Sequence, residues 1–313
     1  MEEAHKLAVN TRKHVPVGAR VAWGECLAKA AHEVTEHNDL LAWTEWSMLA
    51  KAVLGTPKGR GGAAHRKRVE VDVKAKCRQW ADGERAALWK AARESVAKRG
   101  RPPQVDVQGA LLEERPEEGR VREILREGQL NKAVAALVSE PPVEVTREVI
   151  GEMRDKHPPP REGEREKLGR LRAVHKSAAP SINGEEAIRL VRTFPRGSAS
   201  GPSGLKPQHL ADACSPGNAA EVGRQLAGIV GTLLGGEVPE EVRPWISCAQ
   251  LAALPKPGGG LRPIAVGETI RRLTAKAAMA AQGESIREAL EPVQVGVGTP
   301  GGRKPSPTRP GNG

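Results

Sequence analysis

The sequence predicts a mainly α chain with one small β-hairpin, an α+β class in which helices dominate and Pro/Gly-rich disordered linkers join them. Three observations carry that prediction. Apolar residues recur at helical spacing in several separate stretches. Only Ala249 to Val266 shows two short apolar runs about a Pro/Gly turn, Pro255-Lys256-Pro257-Gly258-Gly259-Gly260, which is the pattern of a hairpin. Finally, 35 Gly and 25 Pro in 313 residues, with one Phe, no Tyr and 38% hydrophobic content, limit the cores to modest Leu/Val/Ala packing.

Residues 1–55 read as a helical segment. Val21 to Leu54 keeps helical spacing, with Trp23, Leu27, Val34, Leu41, Trp46 and Leu49 as core candidates. Cys26, His32 and His37 lie close in sequence, but the two histidines fall on different helix faces and no second cysteine is near, so no metal site is assigned. Residues 56–70 read as a basic Gly-rich linker whose Arg66-Lys67-Arg68 run is the densest positive charge in the chain, a candidate contact for nucleic acid. Residues 71–118 hold a helix from Val71 to Ala97, through Cys77, Trp80, Leu88 and Trp89, and a Pro-rich linker that stops it. Residues 119–156 suggest a helical pair, Arg120 to Leu137 and Thr146 to Lys156, before a polar linker over 157–181.

From Ile182 the order tightens. Asn183 can cap a helix over Glu185 to Phe194, and the loop Arg196 to Gly204 follows. Its glycines miss P-loop spacing and Leu205 stands where lysine is needed, so nucleotide hydrolysis is not assigned. Gln208, His209 and Leu210 belong to a short helix, with His209 packed rather than catalytic, since no nucleophile or carboxylate pair near it gives it a task. Asn218 begins a helix that ends at Gly235-Gly236. The hairpin then presents Lys256 on one arm and Arg262 on the other, and Gly267-Glu268 opens an acid-capped helix, Thr269 to Gln282, whose first turns carry Arg271 and Arg272. Basic groups on a projecting ribbon suit phosphate: arginine as a planar fork, lysine as a point charge.

The net charge of +11 and pI near 9.7 favour a polyanionic partner, RNA or DNA contacted without regard to sequence. Scarce aromatics argue against a base-stacking platform. The four cysteines have no paired spacing, so neither a zinc module nor a disulfide scaffold is indicated, and the expectation is reduced thiols in an intracellular protein with no disulfide partner. No stretch approaches the ~20 apolar residues of a membrane span, and the amino terminus lacks an apolar signal core.

The order of residues around the hairpin, Pro-Lys-Pro-Gly followed by Arg-Pro-Ile and a basic helix, resembles the fingers hairpin of reverse transcriptases of non-LTR (LINE-like) retrotransposons. The resemblance extends over 182–302, where the loop around Ser203 is similar to a Gly-Pro-Asp-Gly element with serine at the usual aspartate. It touches 128–157 more weakly. It implies a partial polymerase fingers region in which Lys256 and Arg262 reach the triphosphate of an incoming nucleotide; Arg66, Lys67, Arg68, Arg271 and Arg272 are further candidate nucleic-acid contacts on their charge alone.

It also implies RNA-directed DNA polymerase chemistry only where palm aspartates hold Mg²⁺. Here no aspartate follows Asp212 and no tyrosine exists for the family's Tyr-x-Asp-Asp, so no catalytic or metal residue is assigned, and Mg²⁺ belongs only to an intact family member. Residues 303–313 read as a disordered tail. Codons permitted for Gly302 to Gly313, taken one base earlier, can spell Ala-Glu-Ala-Ile-Ala-His-Ala-Ala-Arg-Gln-Trp, close to the family's continuation, so the expectation is a one-base frame change near codon 302 and a product truncated before the palm. The alternative from the charge alone is a small basic host module that binds nucleic acid architecturally.

Overall fold

The computed structural model describes residues 1–56, 63–97, 145–157, 179–256 and 258–290, with isolated positions between 121 and 163. Among them the fold is mainly helical with one antiparallel hairpin, as the sequence predicts. The expected continuations over 291–302 and 303–313, and most of the linkers at 98–118 and 157–181, lie outside the described residues.

A short helix, α1 (Glu2–Lys6), leads through an extended strap to a 3₁₀ turn, Val17–Ala19, and to α2 (Arg20–His37) and α3 (Leu40–Leu54). The single periodic stretch from Val21 to Leu54 is thus two helices. Asn38 breaks it by adopting a left-handed conformation, φ 44°, and Asp39 caps the second helix by accepting from Ala42 N at 2.8 Å. Trp23, Leu27, Val34, Trp46 and Leu49 are buried as expected, but Leu41 is 66% exposed. It sits in the first turn of α3, just past the break at Asn38, where the helical register that the continuous spacing implies no longer holds.

The expected linker over 56–70 is corrected in the same way: α4 (Ala63–Ala81) begins inside it and carries Arg66, Lys67 and Arg68 on its opening turns. The predicted helix Val71 to Ala97 is likewise two, α4 and α5 (Arg85–Ala97), separated at Gly83 with φ 88°. Arg85 closes that corner. Its guanidinium takes Glu33 of α2 at 2.7 Å and Glu45 of α3, and lies 5.6 Å from the Trp80 ring centroid.

The remaining elements are α6 (Arg147–Asp155), α7 (Gly184–Arg192), α8 (Pro207–Ala213), α9 (Ala219–Leu234), α10 (Arg243–Ser247), strands β1 (Ala249–Pro255) and β2 (Leu261–Gly267), and α11 (Thr269–Leu290). Val121, Ile124, Leu125, Leu130, Ala133 and Val134 are helical; Val121 and Ala133 are buried, whereas Leu125, Leu130 and Val134 face out. Asn183 forms a capping box with Glu186, as its position suggests. Asn218 stands at the start of α9 without capping it, since its amide donates to Val21 O at 2.6 Å and so ties α9 to α2.

The amino-terminal helical segment and the region from 182 onward were separable in sequence but share one core. Trp23, Leu27 and Val34 of α2 belong to the same buried cluster as Leu210 of α8, Leu226 and Ile229 of α9, and Ile270 and Leu273 of α11. Trp23 also donates its indole N–H to His209 O at 2.9 Å. Neither half closes its apolar face alone. Residues 182–302 produced by themselves should therefore show no cooperative thermal transition, while the full chain unfolds in one, and Trp23→Ala should cost about 3–5 kcal/mol in urea denaturation of the full chain.

Candidate phosphate-binding ribbon and its buried support

The hairpin register pairs Leu254 with Arg262 and Pro255 with Leu261, and the turn closes through Lys256 N to Gly260 O at 3.0 Å. Because side chains alternate, Lys256 and Arg262 fall on one face of the ribbon, and both are exposed. The opposite face is seated. Leu261 and Ala253 bury against Met153 of α6, and Leu261 N donates to Glu152 Oε1 at 3.1 Å. That last bond pins the strand beside the turn. Glu152 is also paired with Lys156 at 3.0 Å, and its carboxyl is held below the usual range first by the Lys156 hydrogen bond and then by Leu261 N.

The other predicted cations divide by location. Arg66, Lys67 and Arg68 are exposed on α4, which packs on α2, α3 and α5 rather than under the ribbon. Arg271 is exposed, with its guanidinium on Ser247 O. Arg272 is turned inward: it donates to Ala199 O and lies 5.7 Å from the Phe194 ring centroid, and burial depresses its pKa. Its donors thus hold the 196–204 loop against α11, a structural use that its place beside Arg271 in sequence does not reveal.

Glu268 does not cap α11 with its side chain. Its carboxylate is buried and accepts from Ser203 N at 2.7 Å and Ser203 Oγ at 2.6 Å, and desolvation raises its pKa. Gly201 makes this approach feasible, since a Cβ there would stand 2.7 Å from Glu268 Cα. Gly204 is constrained twice, by φ 76° and by a Cβ position 2.9 Å from Thr11 Cγ2.

The amino-terminal strap locks the same loop from the other side. Thr11 Oγ1 donates to Gly204 O at 2.7 Å, Lys206 Nζ donates to Thr11 O at 2.9 Å, and Val15 N donates to Asp212 Oδ2 at 2.8 Å. Asp212 is completed by Arg20 at 2.8 Å. His209 is fully buried, with Nδ1 accepting from Lys206 N at 3.1 Å and Nε2 2.7 Å from Arg12 O; a carbonyl can only accept, so Nε2 carries the proton. Burial, then Lys206, lowers its pKa to about 3. His5 lies 3.7 Å from Glu268, yet burial and Lys51 lower it to about 4, so at neutral pH the contact is not an ion pair.

Two cysteines that spacing left apart, Cys26 of α2 and Cys77 of α4, lie near each other, and Cys77 followed by burial raises the Cys26 thiol. All four cysteines are free. Among the described residues no group of three His, Cys, Asp or Glu side chains could hold a metal ion. No described helix is long and apolar enough to cross a membrane. Compared with known protein families, with curated proteins and with solved structures, the chain has no match.

Two outcomes follow from the buried support. Ser203→Asp would set a second carboxylate against Glu268 in a dry site and should cost about 2–4 kcal/mol, with partial recovery in Ser203→Asp/Glu268→Gln; a double-mutant cycle in urea reads the coupling. The histidines give an acid limit. Both bind protons more weakly folded than at their ordinary 6.5, so their contribution is complete above that pH and is lost as pH falls toward about 4 for His5 and about 3 for His209. The urea midpoint should begin to drop below pH 6.5, before ordinary carboxylates titrate, and the drop should shrink in His209→Gln.

Proposed function

We propose that the chain binds nucleic acid or nucleotide phosphate through the basic ribbon, as the fingers part of a non-LTR retrotransposon reverse transcriptase does, without performing polymerase chemistry within these 313 residues. The observation that carries this reading is the ribbon's two-sidedness: Lys256 and Arg262 are exposed on one face while the other is held on α6. A point charge and a planar fork on a supported edge suit a phosphate chain, and binding of this kind is electrostatic and indifferent to base sequence. The order Pro-Lys-Pro-Gly, Arg-Pro-Ile and basic helix supports the family assignment, and the lack of any aspartate after Asp212 supports inactivity. Arg66, Lys67 and Arg68 add a second exposed basic stretch on α4.

Fluorescence anisotropy with a labelled single-stranded oligonucleotide tests the binding. Affinity should fall steeply between about 50 and 200 mM salt, and Lys256→Ala/Arg262→Ala should flatten the slope of log K against log salt by about 1–2. Each single change should weaken binding by about 1–3 kcal/mol. An affinity insensitive to salt, or unchanged in the double variant, refutes the ribbon's role. With Mg²⁺, a primed template and nucleotides, the chain should extend no primer; incorporation above a protein-free control refutes the inactive reading.

A further inference from the structure

A cavity of about 310 Å³ lies between the strap, the carboxyl end of α3, and α4 and α5, away from the ribbon. Arg12, Lys51, His65, Arg68, Asp72 and Lys76 line it, with an apolar wall from Leu88 and Ala92. Positions 65, 68, 72 and 76 fall at helical intervals along one face of α4, so one helix presents most of the polar lining. Lys76 neutralises Asp72 at 2.8 Å, and the Lys51 ammonium is held by Ala4 O at 2.6 Å, so it contributes field rather than free donors. Arg12 and Arg68 remain as the cations with donors to give.

Arg12 is held in place by its backbone. Its N–H donates to Leu54 O at 3.0 Å, and its carbonyl takes His209 Nε2 at 2.7 Å and Lys206 Nζ at 3.3 Å. Its guanidinium Nε and Nη2 are buried without a hydrogen-bond partner. A buried cationic donor left unpaired is costly, and one that lines a cavity of this size, where the cations outnumber the single carboxylate, is arranged for an anion.

We propose that this cavity binds a phosphomonoester, with Arg12 forking two phosphate oxygens and Arg68 closing on the third. A dianion suits the excess of positive charge over Asp72, and the fork geometry of arginine suits its tetrahedral oxygens. The wall of Leu88 and Ala92 leaves room for a sugar and offers no aromatic surface to stack a base. The phosphomonoester has two possible sources, a free phosphate compound and the 5′ end of a nucleic acid, and the same chemistry recognises both.

Isothermal titration at fixed ionic strength tests the site with three probes: inorganic phosphate, a 5′-phosphorylated short single-stranded DNA and its 5′-hydroxyl counterpart. The full chain should bind inorganic phosphate and should bind the 5′-phosphorylated strand at least several-fold more tightly than the 5′-hydroxyl strand if chain ends are the source. Phosphate binding with no preference between the strands assigns the site to free phosphate compounds. Arg12→Gln should weaken binding of inorganic phosphate about tenfold or more and Arg68→Gln several-fold. Circular dichroism reports whether Arg12→Gln retains the fold; if it does not, the exposed Arg68→Gln decides. No binding of either phosphorylated probe beyond the 5′-hydroxyl control, or wild-type binding in the folded variants, overturns the proposal. Loss in the ribbon variant alone would place the phosphate on the ribbon instead.

Discussion

The 201–206 loop is the constraint on which the rest of the structure depends. It is gripped from three directions by buried polar contacts: the strap through Thr11, the start of α11 through Glu268, and α8 through the Lys206 N to His209 Nδ1 bond. None of these partners is near the loop in sequence except α8. Each grip places a polar or charged group where water does not reach, so each must be matched to persist. Ser203 satisfies both oxygens of Glu268, and Thr11 and Arg12 supply carbonyls to Lys206 and His209. Buried polar contacts of this kind contribute little net stability when complete and cost several kcal/mol when one partner is removed, so they specify one arrangement of the strap more than they strengthen it.

That arrangement sets the position of the ribbon. Glu268 and Thr269 both reach back to the loop, through Ser203 and through Leu205 O, and so fix the residues that immediately follow β2. At the far end, Leu261 is held on α6 by burial and by Glu152. A two-stranded ribbon is marginal in water by itself. Here it is anchored at its base by a dry polar junction and on one face by a small apolar cluster, while Lys256 and Arg262 near the tip stay exposed.

The helices and the hairpin were legible because each has a local cause. Asn183 and Glu186 spell a capping box, and three glycines after Pro255-Lys256-Pro257 force a reversal whose described members, Gly258 to Gly260, all have positive φ. Breaks were less legible. Asn38 in a left-handed turn and Gly83 interrupt stretches whose apolar spacing continues almost undisturbed, so Leu41 was assigned inward when it faces out. The junction was the least legible part, because Ser203–Glu268 and His209–Arg12 join residues 65 and 197 positions apart with no periodic trace. The buried histidine was foreseeable only as packed; its partners were not.

Net charge proved a coarse guide to where an anion can bind. Lys51 and Lys206 give their ammonium groups to buried carbonyls, Arg20 and Arg85 to carboxylates, and Arg272 to Ala199 O and the Phe194 ring. These cations are structural, and they are drawn from the same basic composition that suggested a polyanionic partner. What remains for ligands is set by position: Lys256 and Arg262 exposed at the tip of the ribbon, and Arg12 with two guanidinium nitrogens buried beside a cavity. A sequence reading ranks Arg12 no higher than its neighbours, since its place beside the cavity arises only when Leu54, His209 and Lys206 together fix its backbone. The distinction between a cation that holds the fold and one that is held by the fold for another purpose therefore rests on whether its donors are already taken, and composition carries no record of that.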